Sequence, residues 1–182
     1  MRMFLAIELE EAWKEQLSLL QQEVGKRCQG GHFTEKNNLH LTVKFIGEVK
    51  RDELDALVAA TAEAGGATRA FSMEIARLGY FSRGKRAILW AGIGANPALV
   101  RLHQNVERAM QKQGFARDRA KYTPHITLGR ELAFLAPFEQ MQKEAAIDIA
   151  PMAVTRLSLM ESRREGPRLI YRPVFVQNLR GK

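Results

Sequence analysis

One four-residue pattern, histidine, apolar, threonine, apolar, occurs twice in the chain, at residues 40–43 and 125–128. In an extended strand, successive side chains point to opposite faces. The histidine and threonine of each copy are therefore expected on one face, and the two apolar residues in a core. Two such strands facing each other would place two imidazoles and two hydroxyls across one cleft, which suits phosphoryl chemistry without a metal.

The same order of predicted elements surrounds both copies: strand, helix, motif strand, helix, strand. The two motif histidines are 85 residues apart, and Leu5 falls on Trp90 at the same offset. Units of this length indicate a duplicated β-α-β-α-β lobe and an α+β fold rather than a solenoid. The predicted strands are 3–9, 39–46, 71–78, 87–93, 122–130, 154–160 and 170–179, and the predicted helices are 10–25, 52–65, 96–114 and 138–146.

A chain of 182 residues fits a single domain or two small lobes that share a core. We predict one bilobal domain over 1–182, with pseudo-twofold lobes at roughly 1–80 and 87–165 and the C-terminal strand completing a sheet. If the lobes pack about such an axis, the two motif strands face one another.

The charge balance favours anionic partners. The formal net charge is +8, with 28 lysines and arginines against 20 acidic residues, which suits RNA or nucleotides; a basic surface that only confers solubility is the alternative. Two basic turns, 82–86 and 163–168, would suit contacts with an RNA backbone.

The compartment is predicted from cysteine usage and from the lack of long apolar segments. Cys28 is the only cysteine, so an internal disulfide is excluded and a reducing cytoplasm is favoured. The apolar start is too short for a signal peptide, and no stretch approaches the roughly 18 apolar residues of a membrane span. We expect a cytoplasmic monomer without membrane association.

The two motif histidines are the candidate catalytic residues. Cleavage of a phosphodiester without a metal needs one group that takes a proton from the attacking oxygen and another that gives one to the leaving oxygen. In-line displacement places these oxygens on opposite sides of phosphorus. His40 and His125, on separate strands, can fill both roles because free imidazole titrates at a pH of about 6.5. The residues alone do not distinguish the acid from the base.

Three more residues are candidate substrate ligands. Thr42 and Thr127 each follow their histidine by two positions, roughly 6–7 Å away on the same face, where a hydroxyl can donate to a phosphate oxygen. Arg130, just beyond Gly129, would add a permanent charge suited to phosphate. Lys44 shares the alternation parity of His40 and Thr42 and is a weaker candidate for the same cleft.

Metal and nucleotide cofactors are not predicted. Zinc sites use three or four ligands, often closely spaced, whereas this chain has no cysteine pair, no two histidines at i, i+4 and no obvious acidic third ligand beside either motif. It also lacks a Gly-Lys-Ser/Thr phosphate loop, which argues against a nucleotide-driven kinase or ligase. We interpret His32 and His103 as incidental or structural.

Segments 38–47 and 124–130, together with 2–7, resemble the two-histidine phosphoesterase superfamily, and within it the bacterial RNA 2′,3′-cyclic phosphodiesterase (2′-5′ RNA ligase) branch. The resemblance implies two antiparallel sheets around a central cleft, with the helices outside. It implies hydrolysis of 2′,3′-cyclic phosphate RNA ends to 2′-phosphate ends, without metal or nucleotide cofactor, and ATP-independent 2′-5′ ligation when a 5′-hydroxyl RNA end is the nucleophile. It also implies that His40 is the proton donor and His125 the proton acceptor. RNA ends, tRNA fragments among them, and small cyclic nucleotides would be the substrates.

Two other functions stay open at this point. An RNA-binding module could use its histidines only as contacts to bases, with Phe45, Tyr122 and Trp90 as stacking platforms. A related phosphodiesterase could act on a different small cyclic phosphate, such as ADP-ribose 1″,2″-cyclic phosphate. An RNA-binding module would leave a small cyclic nucleotide intact, whereas an enzyme would hydrolyse it. Comparing turnover of ADP-ribose 1″,2″-cyclic phosphate with turnover of an RNA end would identify the related phosphodiesterase.

Overall fold

The computed structural model describes residues 1–145 and 147–181. Within these residues the fold is α+β, as predicted, with a nine-stranded antiparallel sheet, a separate two-stranded sheet and four α-helices. The strands are β1 (Arg2–Glu8), β2 (Cys28–Gln29), β3 (His32–Phe33), β4 (His40–Glu48), β5 (Phe71–Met73), β6 (Ile75–Arg83), β7 (Arg86–Ile93), β8 (His125–Phe134), β9 (Met152–Val154), β10 (Arg156–Glu165) and β11 (Arg168–Asn178). The helices are α1 (Glu11–Gly25), α2 (Leu54–Gly66), α3 (Pro97–Lys112) and α4 (Phe138–Glu144).

None of the helices in the described parts of the chain has the length and apolar character needed to cross a membrane.

The large sheet consists of two halves that meet at the motif strands. Its order is β11-β10-β1-β4-β8-β7-β6, and the short strands β2 and β3 also pair with β8. The first four strands form one half, and β8, β7 and β6 form the other. Only Leu41 and Ile126 pair across the junction of β4 and β8. The two sheets expected around a cleft are present as these halves, with the cleft beside their junction.

Each half of the sheet contains strands from both halves of the chain. β6 pairs with β7, and β10 pairs with β1. Leu41 and Ile126 hold equivalent positions in the two motifs and pair with each other, and the short strands β5 and β9 also pair with each other. Mutual pairing of equivalent positions is what a twofold axis produces. On this ground we propose that the lobes at roughly 1–80 and 87–165 are related by a pseudo-twofold axis and exchange their third strands.

The helices cover the face of the sheet opposite the motif histidines. In α1 the buried residues recur at helical spacing, Leu17 and Val24 among them. In α3 Pro97 occupies the first helical position and the Asn96 side chain caps the helix by accepting from the Leu99 N–H at 3.0 Å. The apolar motif residues pack in the same core cluster as these helices. The histidines and threonines, which alternate with them, are left on the opposite face.

The sequence predictions differ from the structure at several boundaries. The predicted loop after α1 contains β2 and β3, and the predicted strand 122–130 begins at residue 125 and continues to 134. The predicted helix 138–146 ends at 144, and position 146 lies outside the described residues. Leu5 pairs with Lys44 on β4, and Leu89 pairs with Gly129, the equivalent position on β8. The sheet therefore equates Leu5 with Leu89 and not with Trp90.

Candidate active site

His40 begins β4 and is held from two sides. Its Nδ1 lies 2.7 Å from the carbonyl oxygen of Asn38. A carbonyl can only accept, so Nδ1 carries a proton and Nε2 is left to do chemistry. That Nε2 lies 3.0 Å from the Thr42 hydroxyl. The ring packs against Phe4 and Tyr171, each with its ring centroid 4.9 Å away.

His125 begins β8 and is held by an equivalent backbone contact. Its Nδ1 lies 2.7 Å from the carbonyl oxygen of Thr123, again two residues earlier, so Nε2 is again the free nitrogen. Phe81 meets the imidazole edge-on at 5.1 Å, and Trp90 lies 6.0 Å away. The indole of Trp90 lies against Gly79, where a Cβ would be only 2.0 Å from the ring. Only glycine permits that close approach, which fixes this aromatic wall beside His125.

All five site residues predicted from the sequence line one cavity of about 300 Å³. We call this cavity the catalytic cleft; the predicted residues on it are His40, Thr42, His125, Thr127 and Arg130.

Distant parts of the chain supply further cleft residues. Arg2 from β1 and Arg164 and Tyr171 from the β10–β11 hairpin line the cleft together with Arg130. No carboxylate is among the described residues that line it, so three guanidinium groups make it an anion site. The sequence signal for Arg164 was the basic turn at 163–168, but nothing local pointed to Arg2 or Tyr171.

An extra residue in β4 changes which side chains face the cleft. Leu5 and Ala6 are neighbours on β1, yet their partners are Lys44 and Thr42, so Val43 has no partner of its own. Such a bulge bends the strand and redirects the side chains that follow it. Phe45, two residues after Val43, therefore lines the cleft.

β8 carries the same bulge at the equivalent position. Leu89 and Trp90 are neighbours on β7, but they pair with Gly129 and Thr127. Simple alternation would direct Arg130 away from the histidines, whereas the bulge brings it to the cleft. Arg130 is thus the counterpart of Phe45 on the other motif strand.

The same bulges send Lys44 and Gly129 away from the cleft. The interpretation of Lys44 as a cleft residue is wrong, because its ammonium is buried and lies 2.6 Å from Glu107 Oε1. A Cβ on Gly129 would lie 2.7 Å from Leu132 and 3.1 Å from Phe33. The small size of Gly129 therefore serves the packing of β8 against these two side chains.

One group of three side chains could hold a metal ion among the described residues. His103, Glu107 and Asp118 place one ligand atom each within 4.8 Å of one another. Lys44 already lies among them, 2.6 Å from Glu107 and 3.3 Å from Asp118. The Lys44 ammonium already gives the two carboxylates the positive charge that a metal ion would bring. The group is therefore a poor fit for a metal.

Burial and neighbouring charge lower the pKa of both cleft histidines. The pKa of His40 lies below its ordinary value mainly because burial disfavours the imidazolium, and the positive charges of Arg130 and His125 act in the same direction. Burial and Arg130 likewise lower the pKa of His125. The backbone carbonyl on each Nδ1 opposes the shift by stabilising the protonated ring.

The fold and the two facing His-x-Thr strands define the class of the two-histidine phosphoesterases. Residues 9–166 match the family model described as the 2'-5' RNA ligase superfamily. The chain belongs to that superfamily, as the two motifs and their surroundings indicated.

The relatives and the solved structure compared below cover 71% or more of the chain. A protein of Thermotoga maritima named RNA 2′,3′-cyclic phosphodiesterase is 26% identical over 182 residues, which is 100% of this chain and 97% of the relative. One of the same name from Methanocaldococcus jannaschii is 30% identical over 131 residues, or 71% of each. The crystal structure of E. coli LigT complexed with 3′-AMP has a TM-score of 0.77 and 25% identity, covering 98% of this chain and 97% of that one. These findings confirm the resemblance and the expectation of an enzyme.

Proposed function

We propose that this enzyme hydrolyses the 2′,3′-cyclic phosphate ends of RNA to 2′-phosphate ends, with the two cleft histidines as acid and base. One observation carries the proposal: both imidazoles and both motif threonines converge on a single cleft with three arginines and, among its described lining residues, no carboxylate. The two relatives compared above share the name RNA 2′,3′-cyclic phosphodiesterase, which supports the RNA end as substrate.

In the proposed mechanism the cyclic phosphate lies between β4 and β8. Nε2 of His125 takes a proton from water, and the water oxygen forms a bond to phosphorus. The bond from phosphorus to O3′ breaks, and O3′ receives a proton from His40, which leaves a 2′-phosphate and a 3′-hydroxyl. The carbonyls on both Nδ1 atoms would orient Nε2 toward the phosphate; they would stabilise the His40 imidazolium before it gives up its proton and the His125 imidazolium as it forms.

Thr42, Thr127 and Arg130 would hold the non-bridging phosphate oxygens. A threonine hydroxyl and a guanidinium can each donate to an oxygen that gains charge in the transition state. The Thr42 hydroxyl also contacts His40 Nε2 at 3.0 Å, so it can orient the acid before the substrate binds.

The same site would join RNA when a 5′-hydroxyl end replaces water as the nucleophile. The product is then a 2′-5′ phosphodiester, and no ATP is consumed because the cyclic phosphate is already an activated ester. We propose RNA ends, tRNA fragments among them, and small cyclic nucleotides as substrates of a cytoplasmic monomer that uses no metal or other cofactor.

Product analysis tests the proposed function. An oligoribonucleotide with a 2′,3′-cyclic phosphate end, incubated with the protein and EDTA, is expected to yield a 2′-phosphate that chromatography resolves from a 3′-phosphate. A 3′-phosphate product, or loss of turnover under chelation, would contradict the proposal. Faster turnover of ADP-ribose 1″,2″-cyclic phosphate than of the RNA end would instead support the alternative substrate.

The pH dependence of hydrolysis should respond to the charge at Arg130. In the free enzyme, kcat/KM is expected to rise with pH as His125 loses its proton and to fall as His40 loses its own. Arg130→Gln removes a positive charge that lowers the pKa of both rings, so both limbs should move to higher pH. The lost phosphate contact should also lower kcat/KM by about tenfold or more.

The control for this measurement is Arg101→Gln, which removes an equal charge from an exposed position on α3. It is expected to leave both limbs in place. Limbs that stay fixed in Arg130→Gln would contradict the electrostatic coupling of Arg130 to the histidines.

A further inference from the structure

A second groove of about 440 Å³ lies beside the catalytic cleft, between β4 and the irregular segment 113–124 that leads from α3 into β8. We call it the side groove; Phe81, Arg119, Lys121 and Tyr122 are among the residues that line it. It shares Thr42, Phe45 and His125 with the catalytic cleft. The two cavities therefore meet at the second motif histidine.

The two histidines differ in their access to the side groove. His125 lines both cavities, whereas His40 lines only the catalytic cleft. Phe4 and Tyr171 enclose the His40 ring. In-line displacement brings the attacking oxygen to phosphorus from the side opposite the leaving oxygen. A nucleophile that arrives through the side groove would meet His125 where the two cavities join, and not His40. The other histidine on the groove, His103, lies outside the catalytic cleft and is stacked on Tyr122.

The side groove has a net positive charge among its described lining residues, with Arg119, Lys121 and Lys44 against Asp118. Arg119 and Lys121 line it, and neither makes an ion pair among the described residues. Asp118 is the one carboxylate among the described lining residues, and the buried Lys44 ammonium lies 3.3 Å from it. The two free cations match the phosphates of a nucleic-acid strand rather than a neutral ligand.

Contacts on both sides of residues 119–121 hold them at the groove. On one side, the backbone N–H of Asp118 donates to Glu107 Oε2 at 3.0 Å. On the other, Tyr122 stacks on His103 with ring centroids 4.1 Å apart, and its hydroxyl donates to the Thr42 carbonyl oxygen at 3.1 Å. The segment lacks regular secondary structure, yet its backbone is held beside the groove on both sides of Arg119 and Lys121.

We propose that the side groove binds the 5′-hydroxyl end of a second RNA strand, with Arg119 and Lys121 on its first phosphates and its terminal hydroxyl at His125. This inference rests on the proposed function and names the strand that replaces water. The 5′ oxygen forms a bond to phosphorus and gives its proton to His125, while the bond to O3′ breaks and O3′ takes a proton from His40. Phe81, edge-on to His125, offers a face for the first base.

The test compares ligation with hydrolysis in Arg119→Gln/Lys121→Gln. Ligation of a cyclic-phosphate-ended strand to a subsaturating 5′-hydroxyl strand is expected to fall by about tenfold or more. Hydrolysis of a 2′,3′-cyclic mononucleotide should stay within about twofold, because that substrate does not enter the side groove. The slope of log ligation efficiency against log salt should become shallower by about 1.4, as expected for two lost single-strand phosphate contacts.

The matched control, Arg51→Gln/Arg101→Gln, also removes two positive charges, but from exposed positions that line neither cavity. It should change neither activity by more than about twofold. Three results would overturn the inference: equal losses of both activities in Arg119→Gln/Lys121→Gln, ligation unchanged in that variant, or a wild-type enzyme that hydrolyses but does not ligate at saturating 5′-hydroxyl strand. A wild type that hydrolyses no cyclic phosphate would overturn the proposed function instead.

Discussion

Alanine at His40 or His125 is expected to lower kcat for hydrolysis of a 2′,3′-cyclic nucleotide by about 10²- to 10⁴-fold. Each variant removes one proton transfer, either to the leaving O3′ or from the attacking water. The kcat of the double variant should be little lower than that of the less active single variant, because the two groups act on one transition state. Initial rates at saturating substrate measure the effect.

The pH profile of each alanine variant identifies the role of the missing ring. His125→Ala should lose the limb that rises with pH, because that limb reports removal of a proton from the base. His40→Ala should lose the limb that falls at higher pH, where the acid is deprotonated. If His125→Ala instead lost the falling limb and His40→Ala the rising limb, the proposed donor and acceptor would be reversed.

His32→Ala is the matched control, since it removes an exposed histidine on β3 that does not line the catalytic cleft. It should keep full activity, and circular dichroism should show all variants folded. Full activity in His40→Ala or His125→Ala would end the proposal of an acid–base pair.

The helices and the motif strands were predictable because their signals are local. Apolar spacing in α1, and the Asn96-Pro97 start of α3, depend only on neighbours within a few residues. Alternation in the four-residue pattern likewise brought two histidines and two threonines to one face. The second copy of the pattern predicted a second strand with the same side chains, so that the two strands could line one cleft. A single copy could not have indicated this.

The bulges were not predictable, because they are a property of paired strands. Counting along β4 alone assigns Lys44 to the face of His40, but the register with β1 contains an extra residue and reverses that assignment. The same register shift in β8 brings Arg130 to the cleft. Arg130 therefore lines the cavity, although alternation by itself argued against that position.

The sequence marks 163–168 as a basic turn, but neither that turn nor Arg2 can be placed beside the motif histidines from the sequence alone. Arg2 reaches the cleft because β1 lies between β4 and β10, and Arg164 because the β10–β11 hairpin passes the same cavity. The pairing of β10 with β1 sets these neighbours. Strand order depends on contacts far apart along the chain, where periodicity carries no information.

Substitution of Lys44 by methionine is expected to lower the free energy of unfolding by about 3–5 kcal/mol. Lys44 and Glu107 are only 3% and 4% exposed and form an ion pair at 2.6 Å. Methionine keeps much of the side-chain volume but leaves the Glu107 carboxylate buried without its cation, and an uncompensated buried charge is strongly destabilising. Urea unfolding followed by circular dichroism measures the change in midpoint at constant m-value.

The matched control is Lys26→Met, which breaks a pair of the same chemistry on the surface. Lys26 and Glu23 are 67% and 60% exposed and also lie 2.6 Å apart. Water already solvates both charges, so the loss should be less than about 1 kcal/mol. An equal loss in the two variants would show that burial of the Lys44 pair has no energetic consequence.

The double variant Lys44→Met/Glu107→Gln separates the loss of a pair from the stranding of a charge. It removes both charges and keeps an amide oxygen that can accept from the Asp118 N–H, as Glu107 Oε2 does at 3.0 Å. Much of the stability lost in Lys44→Met should therefore return. If it does, the buried pair contributes little net stability, and the loss in Lys44→Met comes from leaving the Glu107 carboxylate buried without its cation.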